Sequence, residues 1–295
     1  MPDNKAEMLF ILNPSAGTNK TDWKQEIIDF FQDKNQSFTI FELAGKDDKR
    51  AIKDKIQELK PRKVIAVGGD GTVKMIAELL LHTEMKLGIL PAGSANGMAS
   101  ELCITNDSRQ ALDTILGGEI KKIDVLQVNN DNLCIHLSDL GLNAMLVHYF
   151  DQGNKRGMLG YAKVAFKVFL RRRLMRLEIS TDGKDISRAA YMVVLANAKT
   201  YGTGAVINPE GSISDGKFEV IVMRKLSLVH LFRMLISHAP FNEDCIETIR
   251  AEKAVITSSK KNHFQVDGEY CGKQNRITAK IIASSLLILV PSGSE

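Results

Sequence analysis

Runs of apolar residues in the first 120 positions alternate with segments whose apolar residues recur at helical spacing. The runs at 8–12, 63–67 and 87–90 predict buried strands, and each ends in a glycine-containing loop. Helical spacing over 21–34 and over 49–59 predicts helices between these strands. Strands that alternate with helices indicate a parallel sheet covered by helices on both faces.

The pattern changes near residue 120, where short strands separated by turns replace the alternation of strands and helices. The segments 129–132, 182–184 and 214–216 are rich in Asn, Asp and Gly and predict such turns. Two helical inserts are predicted at about 157–176 and 226–238. This half of the chain therefore predicts an antiparallel β-sandwich or barrel.

Together these patterns predict an α/β protein with two domains. The first is a Rossmann-like parallel-sheet domain over residues 1–124, to which a C-terminal strand at about 280–295 returns. The second is an antiparallel β-sandwich or barrel domain with inserted helices over residues 125–279.

Composition excludes several classes of protein. Of the 295 residues, 44% are hydrophobic and 25% are charged, so the chain can bury sizeable cores and is not expected to be disordered. Its four cysteines lack metal-site spacing, which indicates reduced thiols in the cytoplasm. No apolar run approaches the ~20 residues that a membrane-spanning helix needs, and the N-terminus has no apolar signal core. We therefore expect a cytoplasmic protein.

The net charge of +4 conceals a strongly basic segment. Residues 155–176 hold eight basic side chains and no acidic one, which leaves −4 for the rest of the chain. Lys163, Lys167 and Arg171 recur every four residues and would form a stripe on one face of a helix. Such a segment favours peripheral binding to an anionic membrane surface on the inner face of the membrane. The alternative is a solvated helix whose apolar side packs on the second domain.

Three glycine-containing loops follow three predicted strands of the first domain. They are 13–17, 68–72 and 91–97, and carboxyl ends of parallel strands are where ligands bind. Glycines let the backbone approach a phosphate, and the helix after Thr72 would add its positive N-terminal dipole. Asp70 would repel bare phosphate, so it fits a bridging Mg²⁺ or water network. The simpler interpretation is a tight turn from strand to helix. P-loop, dinucleotide-binding and protein-kinase motifs are absent from the sequence.

The three loops together resemble those of the diacylglycerol kinase catalytic family, which includes bacterial soluble lipid kinases, sphingosine kinases and ceramide kinases. Further along, Ser214-Asp215-Gly216 and Val266-Asp267-Gly268-Glu269 resemble later motifs of that family. The resemblance implies ATP-dependent phosphate transfer to a lipid hydroxyl. It also implies a nucleotide-binding first domain, a lipid-binding second domain and an active site in the cleft between them.

The resemblance also implies roles for individual residues. Asp70 and Glu269 are the expected catalytic residues, with Glu269 as the general base that takes the proton of the hydroxyl. A structural Mg²⁺ is expected at Asp215, with backbone carbonyls of Ser212 and Lys217 as further ligands. The expected cofactors are ATP and Mg²⁺. The expected nucleotide-binding residues are Asn13, Pro14, Ser15, Gly17, Gly68, Gly69, Asp70, Gly71, Thr72, Gly93 and Ser94.

One departure from the family pattern leaves the lipid open. Diacylglycerol kinases usually carry Asn-Asp where this chain has Asn96-Gly97, and the loop looks more like that of sphingosine kinases. Asp139 is located roughly where sphingosine kinases place an acidic residue near the lipid head group. The alternative for Asp139 is a turn residue at a strand end. Diacylglycerol, a sphingoid base and a related lipid all stay candidates.

Two other functions are compatible with these residues. NAD kinases and sugar-phosphate kinases also carry a Gly-Gly-Asp-Gly loop, although the Val-Asp-Gly-Glu segment and the basic segment argue against them. A non-catalytic nucleotide or lipid binder is the third candidate, because Gly97 replaces the usual Asp. Nucleic acid is not an expected partner, since no RNA-binding motif is present. Association into a homodimer is left open.

Overall fold

The structure is a computed structural model that describes residues 7–17, 21–151, 167–200, 206–225 and 245–293. The chain divides into two compact units. Unit 1 comprises residues 1–123 and 284–295, and unit 2 comprises residues 124–283.

Unit 1 is a parallel α/β unit. Its sheet has the order β2-β1-β3-β4, and every neighbouring pair is parallel. The last residues of β14 (Glu269–Val290) add a parallel neighbour to β4 through Leu287 and Ile288. The predicted parallel sheet is thereby confirmed. The elements are β1 (Met8–Leu12), α1 (Trp23–Phe31), β2 (Phe38–Glu42), α2 (Asp48–Leu59), β3 (Lys63–Gly68), α3 (Asp70–Leu80), β4 (Lys86–Pro91), α4 (Gly97–Glu101) and α5 (Ser108–Gly117), followed by β5 (Glu119–Val128).

Burial and capping explain why these segments form their elements. β1, β3 and β4 are apolar and almost entirely buried, as expected for strands inside a parallel sheet. α1 buries Trp23, Ile27 and Phe31, which recur every four residues on one face. The side chain of Asp22 accepts a hydrogen bond from the Gln25 N–H (3.1 Å) and begins α1, and Asp107 begins α5 in the same way.

Unit 2 is an antiparallel β-sandwich with helical segments, which confirms the predicted class. Its strands follow the order β12-β11-β10-β7-β13-β14. All five neighbouring pairs in this order are antiparallel. β13 also pairs with β8, which pairs with β9. The elements are β6 (Asn132–Cys134), β7 (Leu137–Gly141), α6 (Leu142–Asp151), β8 (Met175–Thr181), β9 (Lys184–Ala190), β10 (Met192–Ala196), β11 (Phe218–Met223), β12 (Ile246–Ala251) and β13 (Lys253–Val266).

The predicted helical insert at 157–176 is wrong at its C-terminal end. Within the described residues the helix covers 167–170 and stops, and β8 begins at Met175. This segment pairs with β13 on one side and β9 on the other. Its side chains alternate between buried and exposed, because successive side chains of a strand point to opposite faces of the sheet. The insert predicted at 226–238 lies outside the described residues, as do Lys155, Arg156 and Lys163. None of the helices in the described ranges has the length and apolar character needed to cross a membrane.

Candidate active site

The loops after β1, β3 and β4 meet at the carboxyl edge of the unit 1 sheet. The Asn13 N–H donates to the Val67 carbonyl at 2.9 Å. The side-chain amide of Asn13 donates to the Thr72 hydroxyl at 3.0 Å. The Ala92 N–H donates to the Gly68 carbonyl at 3.0 Å. The three loops that resemble the kinase family therefore form one connected surface.

Glycine is required where these loops touch backbone to backbone. Gly17 adopts a left-handed conformation (φ +64°), and a Cβ there would lie 2.3 Å from the Ala92 carbonyl oxygen. A Cβ on Gly93 would lie 2.4 Å from the Gly69 Cα. By contrast, a Cβ on Gly71 would meet no atom within 4 Å. Packing therefore explains why positions 17 and 93 require glycine, while it does not explain the glycine at position 71.

The carboxylate of Asp70 holds the start of α4. It accepts hydrogen bonds from the backbone N–H groups of Gly97 and Met98, both at 3.0 Å. A carboxylate at a helix N-terminus satisfies amides that have no partner within the helix and interacts favourably with its dipole. Diacylglycerol kinases usually carry an aspartate where this chain has Gly97. The contact with Asp70 uses the backbone N–H of Gly97, so it does not require an aspartate side chain at that position. Asp70 is thus a positioning residue for α4, beside its predicted role in catalysis.

Asn96 is a site residue that the sequence reasoning left out. It adopts a left-handed conformation (φ +53°), which asparagine tolerates better than most residues. Its side-chain oxygen accepts from the Gly93 N–H (2.8 Å), and its amide donates to the Gly93 carbonyl (3.0 Å). It therefore fixes the loop that carries Ser94. The signal was available, because Asn96 belongs to the segment that carries the family resemblance.

The N-terminus of α3 is free of a side-chain cap. Its N-cap residue is Gly69, which can provide none. The hydroxyl of Thr72, which is predicted to bind nucleotide, accepts the hydrogen bond from the Asn13 side chain. Gly71 and Ser94 are exposed on the same loops. An uncapped helix N-terminus next to exposed glycine backbone is suited to binding a phosphate group.

Glu269 is exposed and lies directly after the turn between β13 and β14. Val266 pairs with Glu269 across this two-residue turn. Asp267 (φ +50°) and Gly268 (φ +83°) both adopt positive φ, as a type I′ hairpin turn requires. The turn therefore fixes the backbone position of Glu269, which is the first residue of β14.

Asp267 anchors this hairpin and was not singled out from the sequence. Its carboxylate accepts from the N–H groups of Ile135 (3.1 Å), His136 (2.9 Å) and Leu137 (3.2 Å). Three hydrogen bonds to one charged group are among the stronger polar contacts in a protein. Asp267 is therefore a positioning residue for Glu269. The Asp-Gly pair between two strands signals the hairpin, but it does not reveal partners 130 residues away.

The predicted magnesium ligands lie in a turn before β11. Asp215 accepts from the Lys217 N–H (3.1 Å) with one oxygen, and its other oxygen is bound by the guanidinium of Arg250. Ser212 is half-buried in the same segment. Asp124, which is buried, accepts a 2.7 Å hydrogen bond from the turn's glycine. These contacts order the turn without a metal.

The carboxylate of Asp215 already has a cationic partner at this turn. Mg²⁺ prefers an octahedral shell of oxygen ligands, whereas Arg250 already neutralises the Asp215 carboxylate. Among the described residues, no group of three or more His, Cys, Asp and Glu side chains is arranged to hold a metal. Magnesium binding at Asp215, Ser212 and Lys217 stays a prediction, and no step is derived from it.

Asp139 is buried in the middle of β7, with only 1% of its surface exposed. Its carboxylate accepts from the Asn143 side chain (2.6 Å), the Ala144 N–H (2.8 Å) and the Gln265 amide. These contacts begin α6 and connect it to β13. The structure thus places Asp139 within a strand, and not in the turn at a strand end that the alternative predicts. Contact between Asp139 and a lipid head group stays a prediction.

Two profile matches cover most of the chain. The profile of the diacylglycerol kinase catalytic domain matches residues 7–128. The profile of the YegS C-terminal NAD kinase beta sandwich-like domain matches residues 139–290. A parallel α/β unit with a Gly-Asp-Gly loop, followed by such a sandwich, is a two-domain kinase fold. More narrowly, the chain belongs to the diacylglycerol kinase catalytic-domain family.

Similar sequences include a named diacylglycerol kinase and an uncharacterized protein. A diacylglycerol kinase of Bacillus subtilis is 28% identical over 217 residues, covering 71% of each chain. An uncharacterized protein of Synechocystis is 26% identical over 307 residues, covering 95% of this chain and 69% of the relative.

Two solved structures share the fold. One is a putative diacylglycerol kinase from Bacillus anthracis, with a TM-score of 0.79, 18% identity and coverage of 97% and 98% of the two chains. The other is yeast NADH kinase, with a TM-score of 0.59, 12% identity and coverage of 98% and 85%. At these identities the likeness concerns the fold alone.

Proposed function

We propose that the protein transfers the γ-phosphate of ATP to the hydroxyl group of a lipid. The observation that carries the proposal is the joined loop surface of unit 1. There, Asn13 and Asp70 hold the three glycine loops together, and Asn96 fixes its own loop. Gly71 and Ser94 are exposed on these loops, and the start of α3 has no side-chain cap. The family, whose curated members include named diacylglycerol kinases, supports a lipid as the acceptor.

Each predicted group has a defined chemical task in this reaction. The backbone at Gly71 and the start of α3 would bind the phosphates of ATP, and Mg²⁺ carried with the nucleotide would neutralise their charge. Glu269 would take the proton of the lipid hydroxyl. Asp70 and Asp267 would keep α4 and the Glu269 hairpin in position. Diacylglycerol, a sphingoid base and a related lipid are the proposed acceptors.

A phosphate acceptor other than a lipid is the second candidate. It is favoured by the shared fold of yeast NADH kinase and by the match to an NAD kinase-like sandwich. As a direct test, the protein is incubated with radiolabelled ATP and, in separate reactions, with a total lipid extract, with NAD or with sugar phosphates. The products are then analysed by mass spectrometry. We expect label in the lipid fraction only. Label in NAD or in a sugar phosphate would replace the proposal. ATP binding without transfer to any acceptor would instead indicate a non-catalytic binder.

Gly71→Ala is expected to separate nucleotide binding from stability. The added methyl meets no protein atom within 4 Å, and alanine favours a helix over glycine. The free energy of unfolding should therefore be unchanged or slightly raised. The methyl would occupy the place where a phosphate approaches the backbone. We expect the Kd for ATP to rise at least about tenfold, measured by calorimetry beside thermal denaturation.

Gly117→Ala is the matched control for this experiment. Gly117 ends α5, and a Cβ there also meets no atom within 4 Å, so ATP affinity should not change. Gly93→Ala should instead lower the melting temperature, because its methyl would lie 2.4 Å from the Gly69 Cα. Unchanged ATP affinity in Gly71→Ala would show that phosphate does not bind at the start of α3.

Peripheral attachment to an anionic membrane surface through residues 155–176 is also part of the proposal. Two of the three residues of the predicted basic stripe, Lys167 and Arg171, lie in the part of the chain that the structure describes. The Lys167 ammonium lies 4.7 Å from the Tyr149 ring centre, and Arg171 donates to the Tyr149 hydroxyl at 2.9 Å. In this structure, these cations thus contact α6. Of the three other cations in the described part of this segment, Arg173 and Arg176 are exposed and Arg172 is half-buried.

A further inference from the structure

Gln265 is a buried glutamine of β13, one residue before this strand ends in the turn that leads to Glu269. Only 2% of its surface is exposed. Its side-chain oxygen accepts a 2.7 Å hydrogen bond from the N–H of Gly268, and its side-chain NH₂ donates to the carboxylate of Asp139. Gln265 and Asp139 are also direct cross-strand partners in β13 and β7. One side chain therefore connects the turn before Glu269 to a buried carboxylate on the neighbouring strand.

Both ends of the Gln265 amide are needed for this connection. The N–H of Gly268 can only donate a hydrogen bond, and an ionised carboxylate can only accept one. The amide therefore satisfies both partners in one orientation only, with its oxygen on Gly268 and its NH₂ on Asp139. A glutamate would place a second negative charge beside Asp139, and a methionine of similar length would satisfy neither partner. Of these three side chains, glutamine alone makes both contacts at neutral pH.

Gln265 and Glu269 lie on opposite faces of the sheet. Glu269 is the direct partner of Val266, so these two side chains share a face. Gln265 precedes Val266, and successive side chains of a strand point to opposite faces. Gln265 is thus not placed to take the proton of a substrate hydroxyl. It acts on the backbone instead, because Gly268, whose N–H it binds, directly precedes Glu269.

Helix α6 supports this side of the hairpin at two places. Its first turn donates two hydrogen bonds, of 2.6 and 2.8 Å, to the carboxylate of Asp139, so this carboxylate is fixed by contacts besides that with Gln265. Further along α6, the ring centre of His148 lies 4.2 Å from that of Tyr270, and Tyr270 directly follows Glu269. Gln265 therefore connects the hairpin to a support that other contacts hold in place.

We infer that Gln265 is a positioning residue for the general base, and that Asp139 holds its amide in the required orientation. Glu269 is the base in the proposed function, on which the inference rests. Proton transfer requires the carboxylate within hydrogen-bond distance of the hydroxyl, and a displacement of about 1 Å can cost about a hundredfold in rate. Asp267 anchors the first residue of the turn and Gln265 anchors the second, so both turn residues are held.

Gln265→Met is the direct test of this role. The substitution keeps the length of the side chain but removes both hydrogen bonds. Below the melting temperature of the variant, we expect it to lower kcat for phosphate transfer about 10- to 100-fold. The Kd for ATP and the KM for lipid should change less than about threefold, because the base is displaced and the binding surfaces are not.

Asn262→Ala is the matched control. Asn262 is another side-chain amide of β13, and it donates to the Ser258 hydroxyl (2.8 Å) and to the Lys260 carbonyl (2.7 Å), away from the turn. It should keep the kcat of the parent even where it lowers the melting temperature. Equal losses of kcat in the two variants would reduce the effect to lost stability and overturn the inference. A parent-like kcat in Gln265→Met would overturn it as well.

Gln265→Glu adds a measurement that lost stability alone would not change. Once the new carboxyl group is protonated, it can again donate to Asp139 and accept from Gly268. The ratio of its kcat to that of the parent should therefore rise as the pH falls from about 8 to about 6. His263 lies on the same face and stays neutral in this range, because burial, helped by Lys273, lowers its pKa to about 4. Other ionisable groups nearby are common to both proteins and cancel in the ratio; they are His148, Tyr270 and Glu269. A ratio that does not change with pH would contradict the role of the amide.

Hydrogen exchange distinguishes a failure of this inference from a failure of the proposed function. In Gln265→Met the N–H of Gly268 loses its acceptor, so we expect its exchange, followed by NMR, to become at least about tenfold faster. The amides of β1 should keep their rates. This measurement needs no substrate. Absence of lipid phosphorylation by the parent would reject the proposed function, whereas unchanged exchange at Gly268 in Gln265→Met would reject the anchoring by Gln265 alone.

Discussion

Replacing Glu269 by glutamine is expected to lower the rate of phosphate transfer to lipid by about 10²–10⁴-fold, the usual contribution of a general base. A lipid hydroxyl is a poor nucleophile, and an amide cannot take its proton. Glu269 is exposed at the start of β14, and the hairpin is held by Asp267 rather than by Glu269. The variant should therefore keep the melting temperature of the parent. The loss should appear in kcat, with ATP affinity unchanged.

Glu252→Gln is the control for this substitution. Glu252 is another exposed glutamate of unit 2, between β12 and β13, so the variant loses the same charge at another place. It should retain full activity. If Glu269→Gln kept more than about a tenth of the parent kcat, Glu269 would not be the base that activates the hydroxyl.

Asp70→Asn is expected to reduce phosphate transfer at least about a hundredfold and to destabilise the protein by about 2 kcal/mol, since two N–H groups lose a charged acceptor. Only one side-chain oxygen remains in asparagine, so its NH₂ would face the N–H of Gly97 or of Met98. The start of α4 would then lose its anchor. Denaturant unfolding and steady-state kinetics on one preparation would measure both effects.

Asp107→Ala separates lost stability from lost activity. Asp107 caps α5 by accepting from the Gln110 N–H at 2.9 Å, and losing such a cap costs about 1 kcal/mol. It lies outside the three loops, so activity should be retained. If Asp70→Asn lost no more activity than Asp107→Ala, the role of Asp70 would be confined to stability.

The sequence predicted the buried elements well. The apolar run at 63–67 became β3 (Lys63–Gly68), and the run at 87–90 became β4 (Lys86–Pro91). Strands buried on both faces consist of continuous apolar residues, so their limits are visible without any knowledge of the fold. The three glycine loops were also located correctly, because each follows such a strand.

The polar contacts within the sites were not predictable. Asp70 binds amides 27 and 28 residues further along the chain, and Asp267 binds amides 130 to 132 residues before it. No local pattern encodes partners at such a distance. β13 (Lys253–Val266) is a single strand, which its sequence does not reveal, since the polar residues 259–263 interrupt its apolar alternation. The helix predicted to reach residue 176 ends early, because pairing with β9 and β13 overrides local helical spacing.

The returning end of β14 has a consequence for how the protein is made. β4 acquires its second neighbour only from Leu287 and Ile288, so unit 1 is not one uninterrupted stretch of chain. While the ribosome synthesises residues 124–283, one edge of β4 has no partner from the end of the chain, and unpaired edges invite association with other chains. The unit that is translated first is therefore completed last. A fragment that ends near residue 123 would lack this strand and should aggregate.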